Sequence, residues 1–225
     1  MRKCLVFVFA FLLLQNISAQ KVDKGLQRQV EEAIKGFNGD IGVYIKNLEN
    51  GKIVAVNADT VFPTASMVKV PILVGVMHKV ERGELTLDSN LVYRDSLLYA
   101  GVDILGSLKQ DEKIALGKVA MLMLTMSDNT ASLWLQTLAG TGTRINEIMD
   151  SLGLKVTRVN SRTPGRENIR SIYGWGQTSP REMATLFERI ANGEVINKQR
   201  SDAMLRMLSR NYWDKHAISQ IPADV

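Results

Sequence analysis

The sequence predicts an α/β protein, with one antiparallel hairpin near the start of its folded region and a long run of helices after it. Two patterns carry the prediction. Residues 41–48 and 53–57 alternate and are rich in β-branched side chains, with Glu49-Asn50-Gly51 between them, and Asn-Gly is a strong hairpin-turn signal. From residue 66 onward, apolar residues recur at helical spacing in one segment after another, with glycine, proline or polar clusters at the breaks. Of the 225 residues, 45% are hydrophobic and 23% charged, a composition that suits one sizeable core better than two.

Taken in order, residues 1–19 stand apart. Arg2 and Lys3 precede an apolar run over 4–14, then polar Gln15 and Asn16, then Ile17-Ser18-Ala19. A basic start, a short apolar stretch and a small final residue describe a secretory signal peptide, with cleavage expected after Ala19. The run is too short to span a bilayer comfortably, and Cys4 lies before it, unlike a lipoprotein cysteine. The expectation is an exported domain over 20–225, periplasmic or extracellular, with no stable membrane span once the leader is removed. Cys4 is the only cysteine, so the mature chain has no disulfide, no thiolate ligand and no cysteine nucleophile.

After the leader, Val22, Leu26, Val30, Ala33, Ile34 and Phe37 keep helical spacing up to Gly39. The hairpin follows. A helix is expected over 66–82, an irregular polar stretch over 84–111, then helices over 114–126 and 130–138 and from about 144 to 152. Residues 155–179, with Pro164 and several glycines, read as a long ordered loop; Pro180 opens a helix to 192, and 198–209 forms another. A hairpin alone does not make a stable sheet with a buried face. Nothing after Asn57 reads as a partner strand, so the remaining strands are expected beyond Val225.

The formal charge of +5 falls to +3 without Arg2 and Lys3, and no basic run exceeds two residues. A nucleic-acid surface is therefore not indicated. His78 and His216 are isolated and lack ligand spacing, so no metal or other cofactor is expected. Met121, Met123 and Met126 read as core packing, and Trp175, between Gly174 and Gly176, as an anchor of the long loop.

Two short motifs carry chemistry. Thr64-Ala65-Ser66-Met67-Val68-Lys69 puts Ser-x-x-Lys at a helix start, where positions i and i+3 share a face and the lysine amine reaches the serine hydroxyl. The helix dipole and burial both lower an ammonium pKa there, so such a lysine can act as base toward the serine without a histidine. On its own the spacing equally fits a capped helix with a surface lysine. Ser127-Asp128-Asn129 lies in the turn between two apolar helices and on its own would read as an N-cap.

Together and in this order the motifs resemble those of class A β-lactamases and penicillin-binding proteins. The likeness extends from 64–69 through Leu124-Thr125-Met126-Ser127-Asp128-Asn129-Thr130-Ala131 to Ser151-Leu152-Gly153 and Thr178-Ser179-Pro180-Arg181-Glu182-Met183-Ala184. It implies a two-lobed fold, an antiparallel sheet flanked by helices beside an all-helical lobe, with the site between them. It further implies that Ser66 is acylated, with its own N–H as half of an oxyanion hole, and that Lys69 takes or relays the serine proton. Ser127 would protonate the departing nitrogen, Asn129 would bind the substrate amide, and Tyr99 matches an aromatic at the cleft rim. Asp128 is expected to order the turn. The substrate would be a β-lactam or a cell-wall peptide, and the protein a monomer.

The chain departs from the family pattern in two places. The third motif, Lys-Thr-Gly or a variant on a late strand, does not occur; the final run 221–225 resembles what precedes that strand, so the last three strands and the second oxyanion donor are expected to be cut off. In the long loop, the family reads approximately Thr-Arg-Leu-Asp-Arg-x-Glu-Pro and uses the Glu with a water for deacylation. Here 157–164 reads Thr-Arg-Val-Asn-Ser-Arg-Thr-Pro, with Thr163 in the glutamate's place. Glu167 is the possible substitute, with a surface ion pair to Arg162, Arg166 or Arg170 as its alternative. These residues leave three readings open: a β-lactamase, a D-alanyl peptidase, esterase or penicillin-binding protein with slow deacylation, and a non-catalytic wall-binding module.

Overall fold

The computed structural model describes residues 21–212, 215 and 218–221. The leader expected over 1–19, His216 and residues 222–225 lie outside the described residues.

Helix α1 (Lys24–Ala33) begins at Asp23, whose carboxylate accepts from the Gly25 and Leu26 N–H groups. It packs along the hairpin, in which β1 (Val43–Lys46) pairs antiparallel with β2 (Ile53–Val56). The turn uses the expected residues. Asn47 Oδ1 accepts from the N–H groups of Glu49 and Asn50, and Gly51 takes φ 71°, a region where a Cβ is costly. Among the described residues no further strand joins this pair. Helix α7 (Pro180–Ala191) covers β1, and the Lys46–Glu188 ion pair at 2.5 Å ties the two.

The other lobe is helical. Helix α2 (Lys69–Glu81) is apolar nearly all round, as a central helix must be. Around it pack α3 (Leu116–Thr125), α4 (Asn129–Leu138), α5 (Thr141–Ser151) and α8 (Lys198–Leu208). Their buried faces supply Val74, Met77, Leu116, Met123, Leu135, Ile145 and Met204 to one core. The irregular stretch before α3 holds the short pair β4 (Asn90–Val92) and β5 (Lys113–Ala115).

The segment 155–179, expected as loop, has structure of its own. It contains β6 (Arg158–Val159), α6 (Glu167–Tyr173) and β7 (Gly176–Thr178), and β7 pairs with both β6 and β3 (Phe62–Pro63). Strands of two or three residues show no readable alternation; they form here because the loop is pinned at both ends. Glu182, in the first turn of α7, accepts from the N–H groups of Lys155, Val156 and Thr157 and from the Thr157 hydroxyl. In the middle, Gln136 on α4 donates to the Ser161 carbonyl while the Ser161 hydroxyl donates back to Gln136 Oε1 at 2.8 Å.

Candidate active site

The chain enters the site from β3. The Thr64 N–H donates to the Gly176 carbonyl at 2.9 Å. Ala65 then adopts a left-handed φ of 44°, and residues Ala65–Val68 form a 3-10 turn before α2. The helical turn carrying Ser66 is thus tighter than an α-helix. Residues i and i+3 eclipse in such a turn, which sets Ser66 almost over Lys69. Ser127, between α3 and α4, is likewise left-handed at φ 60°. A non-glycine residue in this region costs about 1 kcal/mol or more, and two of the seven such residues among those described flank or form the site.

Ser66 is exposed, whereas Lys69 is buried at 3% exposure. Lys69 Nζ donates to the Ser127 carbonyl at 2.6 Å, Ser127 Oγ at 2.7 Å, Ser66 Oγ at 3.3 Å and Asn129 Oδ1 at 3.4 Å. The Ser127 hydroxyl donates to Ser66 Oγ at 2.9 Å. Burial lowers the Lys69 pKa from 10.5 to about 8, against the opposing pull of the Asp128 charge. At that value about a tenth of the molecules carry a neutral amine at pH 7, against about one in three thousand for an ordinary lysine.

Asp128 orders the surroundings. Its fully buried carboxylate caps α4 through the Ala131 N–H at 2.7 Å and accepts from the Ile104 and Leu105 N–H groups at 2.5 and 3.0 Å. Residues 99–105 are thereby fixed beside the cleft, helped by the Tyr99 N–H on Thr130 Oγ1 and the Asn129 N–H on the Val102 carbonyl, both at 2.9 Å. Tyr99 stands at the rim, edge-on to Trp175 with ring centroids 5.1 Å apart. Trp175 is half-buried, and its carbonyl receives the N–H groups of Asn160 and Ser161, which anchors the loop.

Two cavities open onto Ser66. One, of about 450 Å³, includes Lys69, Ser127, Phe187 and Arg210; the other, of about 400 Å³, includes Pro63, Tyr99, Asn129, Ile172 and Trp175. The expected residues Ser66, Lys69, Ser127, Asn129 and Tyr99 therefore converge. Thr163 and Glu167 do not: neither lines either cavity. Thr163 is buried, donates to the Ser161 carbonyl at 3.0 Å and lies against Gly142 of α5. Glu167 is exposed and accepts from the Gly165 N–H at 3.2 Å. The alternative reading of Glu167 also needs correction, since among the described residues it pairs with none of Arg162, Arg166 and Arg170. Arg166 turns instead to Asn160 Oδ1 and Gln177 Oε1, at 2.6 and 3.0 Å.

Sequence reasoning missed Glu182 and Gln136 as loop clamps. Ser179 and Glu182 have the spacing of a capping box, and Ser179 does cap α7 through the Glu182 N–H, but the Glu182 carboxylate reaches across to the loop. Among the described residues no group of three His, Cys, Asp or Glu side chains is placed to hold a metal, and no helix is long and apolar enough to cross a membrane.

Comparison with known proteins gives the geometry its setting. The family model described as the beta-lactamase enzyme family matches residues 24–225. A beta-lactamase of Streptomyces fradiae is 27% identical over 188 residues, covering 82% of this chain and 61% of that protein. A beta-lactamase of Streptomyces albus G is 26% identical over 177 residues, covering 76% and 56%. The chain thus spans somewhat over half the length of these curated relatives. Among solved structures, a point mutant of PBP-A, an acyl-enzyme complex with penicillin G, superposes with TM-score 0.77 at 32% identity, over 87% of this chain and 72% of that one. An ancestral (GNCA) class A beta-lactamase superposes with TM-score 0.76 over 88% and 75%, and at 24% identity it shows the fold alone.

Proposed function

The chain belongs to the beta-lactamase enzyme family, of the class A type in its fold, and on that premise we propose that it is a serine hydrolase opening a β-lactam amide through an acyl-enzyme on Ser66. The observation that carries this reading is the closed set of contacts among Ser66, Lys69 and Ser127, all within 3.3 Å of one another. The neutral Lys69 amine takes the Ser66 proton, directly or through the Ser127 hydroxyl, as Oγ attacks the lactam carbonyl. The carbon–nitrogen bond then breaks. Ser127 gives its proton to the departing nitrogen and is resupplied by the Lys69 ammonium, so no proton is gained or lost. Lowering the lysine pKa from 10.5 to about 8 makes the base available at a cost of about 3 kcal/mol, taken from burial. Asn129 Oδ1 faces Lys69, which leaves its Nδ2 for a substrate carbonyl, and the Ser66 N–H serves as an oxyanion donor. The leader-like residues 1–19 support an exported site of action.

A second reading concerns the fate of the adduct. Thr163 is held against Gly142 and the Ser161 carbonyl, and among the described residues no carboxylate lines either cavity at Ser66. Together with the 32% identity to PBP-A in its penicillin G complex, this favours an acyl-enzyme that persists, as in a penicillin-binding protein or D-alanyl peptidase. Burst kinetics with a chromogenic cephalosporin test both: a stoichiometric burst followed by slow turnover, absent in Ser66→Ala, is expected. Fast linear turnover without a burst contradicts slow deacylation, and turnover retained in Ser66→Ala contradicts the nucleophile.

A further inference from the structure

The loop 155–179 carries positive charge that the mechanism leaves unused. Residues 157–173 hold four arginines and a single acid, Glu167, whose carboxylate is exposed and accepts from the Gly165 N–H. Arg158 pairs with Asp150 at 2.7 Å. Among the described residues Arg162, Arg166 and Arg170 make no ion pair. Of these three, Arg166 is the one held in place. It is half-buried, with Nε donating to Asn160 Oδ1 at 2.6 Å and Nη2 to Gln177 Oε1 at 3.0 Å. Asn160 follows β6 and Gln177 lies in β7, opposite Arg158, so the cluster bridges the two strands of the loop.

Both partners of Arg166 are neutral, which leaves a half-buried charge without a counter-charge. A guanidinium has donors only, so it fixes both amides with their oxygens toward it and leaves their NH2 groups over. Asn160 is 1% exposed, and its Nδ2 is buried without a hydrogen-bond partner. Two of the five guanidinium donors are used. Burial, and after it the Arg158 charge, hold the Arg166 pKa below its ordinary value, as in a site short of negative charge. Unmade buried donors are costly, and a tetrahedral oxyanion supplies acceptors and charge together. We propose that Arg166, with the spare NH2 groups of Asn160 and Gln177, forms a binding site for a small oxyanion of the phosphate or sulfate class, which ties β6 to β7. None of these three residues lines either cavity at Ser66, so the site stands independently of the acyl-enzyme reading.

The test is thermal unfolding of the full chain at fixed pH and ionic strength, with sodium phosphate or sulfate exchanged for chloride. At about ten times the half-saturating concentration, either oxyanion is expected to raise the Tm by about 2–4 °C relative to chloride, along a saturable curve. Arg166→Gln removes this response, whereas Arg206→Gln, at an exposed arginine paired with Asp202 on α8, keeps it. Because Arg166→Gln also unties the loop, the quantity compared is the response to phosphate and not the Tm itself. Asn160→Asp supplies an independent arm. It places a carboxylate against Arg166 within the chain, so it is expected to raise the Tm in chloride and to cancel the phosphate response, which loss of structure does not do. Equal melting in chloride and phosphate overturns the site. So does a phosphate response that survives in Arg166→Gln or Asn160→Asp, since a general salt effect persists in every variant.

Discussion

Lys69 is bound more closely to Ser127 than to Ser66: its Nζ lies 2.7 Å from Ser127 Oγ and 2.6 Å from the Ser127 carbonyl, but 3.3 Å from Ser66 Oγ. On the proposed mechanism the Ser127 hydroxyl is therefore the shorter link in the proton path from Ser66 to Lys69. Ser127→Ala keeps the carbonyl contact and removes the relay. Acylation by benzylpenicillin is expected to slow about a hundredfold or more, as for loss of a positioned proton donor, while the far-UV spectrum and melting point stay near those of the parent. An acylation rate unchanged in Ser127→Ala would show that the proton passes directly between Ser66 and Lys69.

The lowered Lys69 pKa fixes a pH dependence. If the neutral amine is the base, as proposed, the acylation rate constant should rise about tenfold per pH unit below about 8 and level off above it. Lys69→Arg, which holds its proton at every accessible pH, should acylate at a small, flat rate. Stopped-flow measurements from pH 6 to 9 check this, and a profile already level at pH 6 would mean that Lys69 is not the base.

Much of this site was readable in the chain because local chemistry dictates it. Ser-x-x-Lys sits where a helical turn stacks the two side chains, and Asn50-Gly51 sits where a hairpin needs a left-handed residue. The approach of Ser127 to Lys69 spans 58 positions and was legible only through likeness to a family. Strands β3, β6 and β7 escaped notice because two or three residues carry no period, and their pairing depends on Glu182 and Gln136 acting over long separations. The 3-10 turn at Ser66 and the edge-on pair of Tyr99 and Trp175 are tertiary facts without a local signal.

Glu167 tests the loop geometry. Its exposed carboxylate accepts from Gly165 and lines neither cavity at Ser66, so Glu167→Gln should leave the decay of the acyl-enzyme within about twofold of the parent, the range of an exposed substitution away from the chemistry. The half-life of the adduct, followed by intact mass, is the measurement. A severalfold longer half-life would assign Glu167 to deacylation.

Glu182 tests what holds the loop. Its carboxylate receives three backbone N–H groups and the buried Thr157 hydroxyl. Glu182→Ala strands these donors and is expected to cost about 2–3 kcal/mol, or roughly 5–10 °C in Tm. Thermal unfolding reads this directly, and a Tm within about 1 °C of the parent would show that the strand pairs hold the loop unaided.

Ser66 is the proposed attacking group, so the most direct measurement is peptide mapping after incubation with benzylpenicillin. One equivalent of the opened penicillin should be found on the peptide containing Ser66, with none in Ser66→Ala and little in Lys69→Arg. Modification of a different residue in the parent, or equal labelling of the parent and Ser66→Ala, would contradict it.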